Sequence, residues 1–311
     1  MNNKFKIDFI GIGSARSGTT AIAQLIFEHP EISMFPLKEM QYFNKYSHNP
    51  NSSKYEKEGI EGYRKLFKKY NVDFAKKIGE FSVQYIYDEN TPHIIKKHFP
   101  NTKLIAIIRD PVERAFSEYK LMKNLKITMD SSYNLKYFKK KGFSFEKALK
   151  KYPQLIRNGK YGEQLNKYYK LFPKENIKII IYEDFINSPE KIIKELYNFL
   201  EVNQEYVPPS LNKRIHASDK KLKSKNLNIL FKTIEKLSLM MRKIGFSFII
   251  NNLNKIGIGK TLENYEKKQR KTIKKEIIDE KTKKILHTKY LKDIQNLSNL
   301  LNKDLAEKWK I

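Results

Sequence analysis

The stretch Phe5 to Thr20, FKIDFIGIGSARSGTT, constrains the fold of this chain more than any other. Phe5, Ile7 and Phe9 alternate with Lys6 and Asp8, and Ile10 and Ile12 follow, which predicts a buried strand. Gly11 and Gly13 close it. Gly13-Ser14-Ala15-Arg16-Ser17-Gly18 then turns the chain into a helix over Thr19 to His29, with Ile22, Leu25, Ile26 and His29 on one face. A strand, a glycine-bounded loop and a helix N-terminus together make an anion site. Backbone N–H groups of the first helical turn point outward, and the helix dipole adds about half a positive charge. The plainer alternative is a tight turn whose Ser and Thr cap the helix. Arg16 at the mouth of the loop favours the anion site.

The spacing Gly13-x4-Gly18 is that of a phosphate loop, with one departure. A nucleotide triphosphatase places Lys directly after the second glycine. Here Thr19 and Thr20 stand there, and the cation has moved inside the loop, to Arg16. The grip on β- and γ-phosphates is missing, so the loop suits a different phosphate-like group.

Further along, Ile32-Ser33-Met34-Phe35 predicts a second strand, followed by Pro36-Leu37-Lys38-Glu39-Met40-Gln41-Tyr42-Phe43. In a parallel sheet the carboxyl ends of strands share one edge, which brings Glu39 toward the loop. Pairing of Glu39 with Lys38 or Lys45 on the surface is the equal alternative. Residues 45–75 predict a surface excursion holding one helix, Ile78 to Ser82 a third strand, and Thr91 to His98 a helix opened by Thr91-Pro92. Lys103 to Ile108 is a nearly continuous apolar strand that runs into RDPVERAFSEY, with Asp110 as cap and Pro111 at the first helical position. Arg109 at the strand end and Ser117 two turns into the helix can reach one anion, Arg with a planar fork and Ser with a hydroxyl. Pairing of Arg109 with Glu113 is the alternative.

Residues 123–142 are basic, aromatic and loop-like. A helix follows from Tyr161 to Phe172, a fifth strand from Asn176 to Tyr182, and a helix from Ser188-Pro189. The polar loop Ser210 to Lys225 carries Lys213 and Arg214, and helices dominate thereafter, including Leu227–Ile244 and a Leu-rich ending with Trp309. Strands alternating with helices predict an α/β fold with a parallel sheet. One domain is expected over 1–311, with its core at 5–205 and a helical C-terminal part at 220–311.

Composition narrows the functional classes. Hydrophobic residues make up 40%, enough for a core. There is no cysteine, which excludes thiolate catalysis and Cys-ligated metals. The six His show no zinc-ligand spacing, and no metal is expected. No apolar run reaches membrane-spanning length, and the N-terminus enters a strand directly, so a cytoplasmic location is the expectation. The formal net charge of +28 suggests an anionic partner: nucleic acid, a polyanionic substrate, or peripheral association with an acidic membrane surface. Lys is dispersed along the helices rather than gathered in one stripe, so compositional bias is the alternative and nucleic acid is disfavoured.

GSARSGTT, KEMQYF, RDPVERAFSEY, NGKYGEQL, IYEDF and the Leu-rich ending resemble the sulfotransferase family, in particular its carbohydrate and heparan-sulfate branch and bacterial members of that type. The resemblance spans roughly Ile7 to Trp309, and it implies a P-loop-NTPase-like three-layer α/β fold with a central parallel sheet of about five strands and a helical C-terminal extension. It implies transfer of a sulfuryl group from 3′-phosphoadenosine-5′-phosphosulfate (PAPS) to a carbohydrate hydroxyl or amine, leaving adenosine 3′,5′-bisphosphate (PAP). By that likeness Arg16, Ser17, Gly18, Thr19 and Thr20 hold the 5′-phosphosulfate, and Arg109 and Ser117 the 3′-phosphate. Lys213 and Arg214 join the donor-binding set, Glu39 is the catalytic base, and Arg16 stabilises the leaving group. The chain departs from the pattern at Phe81, where many relatives carry Lys, and at Gln41, where some carry His; both positions bear on the acceptor side. Alternatives are a tyrosyl-protein sulfotransferase, a nucleotide kinase and a nucleic-acid-binding protein.

Overall fold

The computed structural model describes residues 5–35, 39–44, 54–69, 75–125, 143–211, 220–222, 270–272 and 276–311. Two compact units emerge: Met1–Ile215 together with Ile278–Ile311, and His216–Ile277. The helical C-terminal part expected over 220–311 is therefore divided, its last stretch belonging to the first unit.

The first unit is built on five parallel strands: β1 (Phe9–Gly13), β2 (Ile32–Met34), β3 (Lys77–Phe81), β4 (Lys103–Ile108) and β5 (Ile177–Ile181), in the order β2-β3-β1-β4-β5. This is the expected α/β architecture. The pleat sorts the apolar residues onto two faces. Ile10, Ile12, Leu104, Ala106 and Ile108 join one buried cluster, and Phe9, Ile105 and Ile107 the other. Both faces must then be covered, which is why these strands read as apolar runs rather than as an alternation.

On the first face lie α2 (Lys54–Lys69), α3 (Thr91–His98), α4 (Pro111–Leu125), α5 (Phe145–Lys151), α6 (Gln154–Arg157) and α7 (Tyr161–Tyr169). The opposite face is covered by α1 (Thr19–Phe27), α8 (Tyr182–Asn187) and α9 (Pro189–Leu200). The last helices, α10 (Glu280–Leu301) and α11 (Leu305–Trp309), return to the first face through Leu286, Tyr290, Ile294 and Leu297.

Some boundaries differ from the sequence expectation. The first strand begins at Phe9 rather than Phe5: Phe5 stands edge-on to Tyr63, Phe67 and Phe99 instead of pairing. The excursion helix α2 is interrupted at Gly59, whose φ of 55° and ψ of −157° are not helical. Helices α5, α6 and α8 were not expected; each is too short to show a periodic apolar face. In the second unit β6 (Lys220–Leu222) pairs antiparallel with β7 (Arg270–Thr272); the first lies in the polar loop expected over Ser210 to Lys225, the second where helices were expected. Helix Leu227–Ile244 lies outside the described residues.

The connections fix where a ligand fits. The chain leaves β1 toward β2 and leaves β4 toward β5, in opposite directions across the sheet. A crevice therefore opens at the carboxyl ends of these two adjacent strands.

Candidate active site

The phosphate loop is anchored to its sheet neighbours. Ser14 N–H donates to Ile107 C=O at 2.8 Å, and Ala15 N–H to the Tyr87 hydroxyl at 3.1 Å. The buried Ser14 and Ser17 hydroxyls bond each other at 2.7 Å, and the fully buried Tyr161 hydroxyl lies against both. Helix α1 has no side-chain cap and no acidic residue in its first turn. The capping alternative for the loop serines and threonines is thus not what the fold uses. Gly18, with φ of 85°, leads into α1, and a Cβ there would meet the Tyr182 ring at 2.7 Å. Glycine is required twice over, by the left-handed backbone and by the ring beneath it.

Across the crevice, the turn after β4 presents the second half of the site. Asp110 caps α4, its carboxylate accepting from Val112 N–H at 2.8 Å. Arg109 lies over the face of Tyr182, 4.8 Å from the ring centre, and reaches Glu113 at 3.3 Å. The Arg109–Glu113 pairing weighed as an alternative is therefore present. It is half exposed, a class of pair worth about 0–1 kcal/mol, and an incoming phosphate competes with it easily. The C-terminal helices brace this turn: Trp309 donates to Glu183 at 3.2 Å, and Glu183 accepts from Asp110 N–H at 3.1 Å.

Arg16 joins the two halves. Its Nε and Nη2 donate to the Ser117 hydroxyl at 3.2 and 3.1 Å. Burial lowers the Arg16 pKa, the Glu118 carboxylate partly restores it, and the Arg109 and Arg114 guanidiniums lower it further. Like charges this close call for a counter-anion. Behind them the wholly buried Arg114 pairs with Glu118 at 2.7 Å. Burial alone would depress Arg114, but the Glu118 carboxylate holds it above its usual value.

Glu39 stands at the carboxyl end of β3, next to β1. Its N–H donates to Phe81 C=O at 2.8 Å, and its Oε2 accepts from Val83 N–H at 3.0 Å and from Gln41 Nε2 at 3.2 Å. Glu39 and Gln41 both adopt positive φ, at 70° and 52°, so this segment is held in a conformation non-glycine residues disfavour. Lys38 and Lys45 lie outside the described residues. Gln41 is buried and turns its amide onto Glu39, while Phe81 is buried with its ring packed against Gly11.

The structure thus brings Arg16, Ser17, Gly18, Thr19, Arg109 and Ser117 to one crevice. Thr20, beside Thr19 on the first turn of α1, is exposed. Glu39 sits at the neighbouring strand end. Lys213 and Arg214 lie outside the described residues. Sequence reasoning missed Tyr161, Tyr182 and Glu80. Glu80 is fully buried, and burial pushes its carboxyl up to about 7, against the Ser82, Tyr85 and Tyr63 hydroxyls that donate to it. A carboxylate inside the apolar strand IGEFS was the signal for it.

Such a crevice, with the Arg16 and Arg109 guanidiniums on its walls, an uncapped helix start and a glycine loop without the lysine of nucleotide triphosphatases, suits an anionic group on an α/β sheet. The sulfotransferase domain family matches residues 6–272, and this chain belongs to it. It is similar to the membrane-associated sulfotransferase kil1 of Dictyostelium discoideum, at 26% identity over 317 residues, 76% of this chain and 65% of that protein. Heparan sulfate glucosamine 3-O-sulfotransferase 5 of Mus musculus is 27% identical over 199 residues, 61% of this chain and 51% of that one. The bifunctional heparan sulfate N-deacetylase/N-sulfotransferase 3 of Mus musculus is 25% identical over 217 residues, 64% of this chain and 22% of that one. The chain spans less than two thirds of each of these relatives. Among solved structures, a sulfotransferase from Alicyclobacillus acidocaldarius shares the fold, with a TM-score of 0.65 at 18% identity, covering 99% of this chain and all of that one.

Proposed function

We propose that this chain moves a sulfuryl group from PAPS to a hydroxyl or amine of a carbohydrate acceptor. The observation that carries the reading is the meeting of Arg16 and Ser117 in hydrogen-bond contact beside Arg109, at the crevice between β1 and β4. A donor with two separate phosphate-bearing positions matches a site with cations on both of its walls. The carbohydrate acceptor is supported by the two heparan-sulfate relatives above.

In the step itself, the acceptor oxygen or nitrogen forms a bond to sulfur. The bond from sulfur to the bridging oxygen of the 5′-phosphate breaks, and its electron pair stays on that oxygen. Arg16 and the loop N–H groups stabilise the charge that builds there, which acts only as the transition state forms. Glu39 takes the acceptor proton, a contribution of typically ~10²–10⁴-fold. The remaining work is positioning, as in phosphoryl transfer.

Calorimetry with PAP and with AMP tests the donor assignment. Arg109 and Ser117 have no phosphate to hold in AMP, so PAP binds more tightly by ~10-fold or more, the scale of a charged hydrogen bond. Equal affinities contradict it. ATP binding tighter than PAP would point to the kinase alternative.

A further inference from the structure

The segment that carries Glu39 rests on a carboxylate that never reaches the surface. Glu80 Oε2 accepts from the Ser82 hydroxyl at 2.6 Å, and that hydroxyl accepts in turn from Gln41 N–H at 2.9 Å. Glu80 Oε1 accepts from the Tyr85 hydroxyl at 2.9 Å, and that hydroxyl accepts from Tyr42 N–H at 3.0 Å. Tyr63, from α2, adds a third donor to Oε1 at 2.9 Å. Two relays thus leave one carboxylate and end on two consecutive backbone N–H groups. Those groups lie just past Glu39, in the stretch where Glu39 and Gln41 adopt positive φ. A strained backbone persists only where its surroundings over-determine it, and these relays are such surroundings.

We propose that Glu80 is a positioning residue for the transfer step, fixing Gln41 and Tyr42 through the Ser82 and Tyr85 hydroxyls and so holding the Glu39 carboxylate at Val83 N–H. This rests on Glu39 being the base. A neutral apolar residue at 80 would fill the volume but leave three buried hydroxyls without an acceptor. The relays supply direction as well as filling. A base misplaced by about 1 Å loses roughly 10²-fold in rate, so the hold on the backbone matters to turnover.

The test is a double-mutant cycle on the full chain, with Glu80→Gln and Glu39→Gln alone and together. Single-turnover transfer is measured at saturating PAPS, with chemically desulfated heparin, whose hydroxyls and free amines cover both acceptor chemistries. Glu80→Gln is expected to slow transfer roughly 10²-fold in the wild-type background and less than about 3-fold in the Glu39→Gln background. PAP affinity should change less than about twofold, because the donor crevice lies on other strands. A multiplicative loss in both backgrounds would overturn the proposal while leaving Glu39 as base. A wild-type rate in Glu39→Gln would remove the base itself, and with it the proposal. Amide hydrogen exchange of the 39–44 segment reads the geometry without an acceptor. Ser82→Ala and Tyr85→Phe, which cut one relay each and keep the carboxylate, should speed exchange at Gln41 and at Tyr42 respectively. Unchanged protection in both would overturn the proposal even if Glu80→Gln fails to fold.

Discussion

Beneath the donor edge and beneath the Glu39 segment lie two buried carboxylates, held in opposite ways. Glu118 meets the Arg114 guanidinium at 2.7 Å, behind the Arg16–Ser117 contact. Glu80 meets the hydroxyls of Ser82, Tyr63 and Tyr85. An ion pair with arginine stays charged through the whole neutral range, which suits an edge that must present fixed positive charge to phosphates. A carboxylate held by hydroxyls titrates, and burial brings Glu80 to about 7. In the proposed reaction the Glu39 half takes the acceptor proton and the crevice between β1 and β4 binds the anionic donor.

Breaking the ion pair should have the largest effect. Arg114→Ala leaves the buried Glu118 without its partner, at a cost of ~3–5 kcal/mol by urea unfolding. A cost under ~1 kcal/mol would mean the pair is not what holds the donor edge.

The second effect sharpens the contrast through pH. The folded pKa of Glu80, about 7, lies above its ordinary 4.5, so the folded chain binds the extra proton between those values. Its contribution to stability is complete below about 4.5 and is lost as pH rises through 7, by up to ~3 kcal/mol. Comparing wild type with Glu80→Gln from pH 5 to 8 isolates it; parallel stability curves would refute the assignment. Arg109→Ala comes next, weakening PAP by ~1.5–3 kcal/mol in calorimetry with stability changed by less than ~1 kcal/mol. Smallest is Ser117→Ala, which removes one hydroxyl and should cost PAP affinity ~0.5–1.5 kcal/mol. A larger loss than for Arg109→Ala would reverse the ranking of the two.

Much of the donor edge was legible because its elements are local. Glycine spacing, Arg16 inside the loop, and Asp110-Pro111 after an apolar strand are adjacent in sequence, and each specifies a turn. The all-parallel sheet followed from five apolar runs with helices between them. Long-range contacts were not legible. Glu80 meets Tyr63 from the helix before its strand, and Tyr182 lies under both Gly18 and Arg109. Neither pairing has a spacing that periodicity can detect. The Phe81 departure reads differently in three dimensions, since its ring fills the space over Gly11.

The central claim is that Glu39 accepts the proton while the opposite edge holds the donor. Glu39→Gln keeps the shape and can still meet Val83 N–H, but cannot take the proton. Single-turnover transfer at saturating PAPS, with PAP affinity measured on the same sample, tests it directly. The account predicts unchanged affinity and a loss of ~10²–10⁴-fold in transfer to a hydroxyl. A wild-type rate, or a loss that appears only as weaker donor binding, would contradict it.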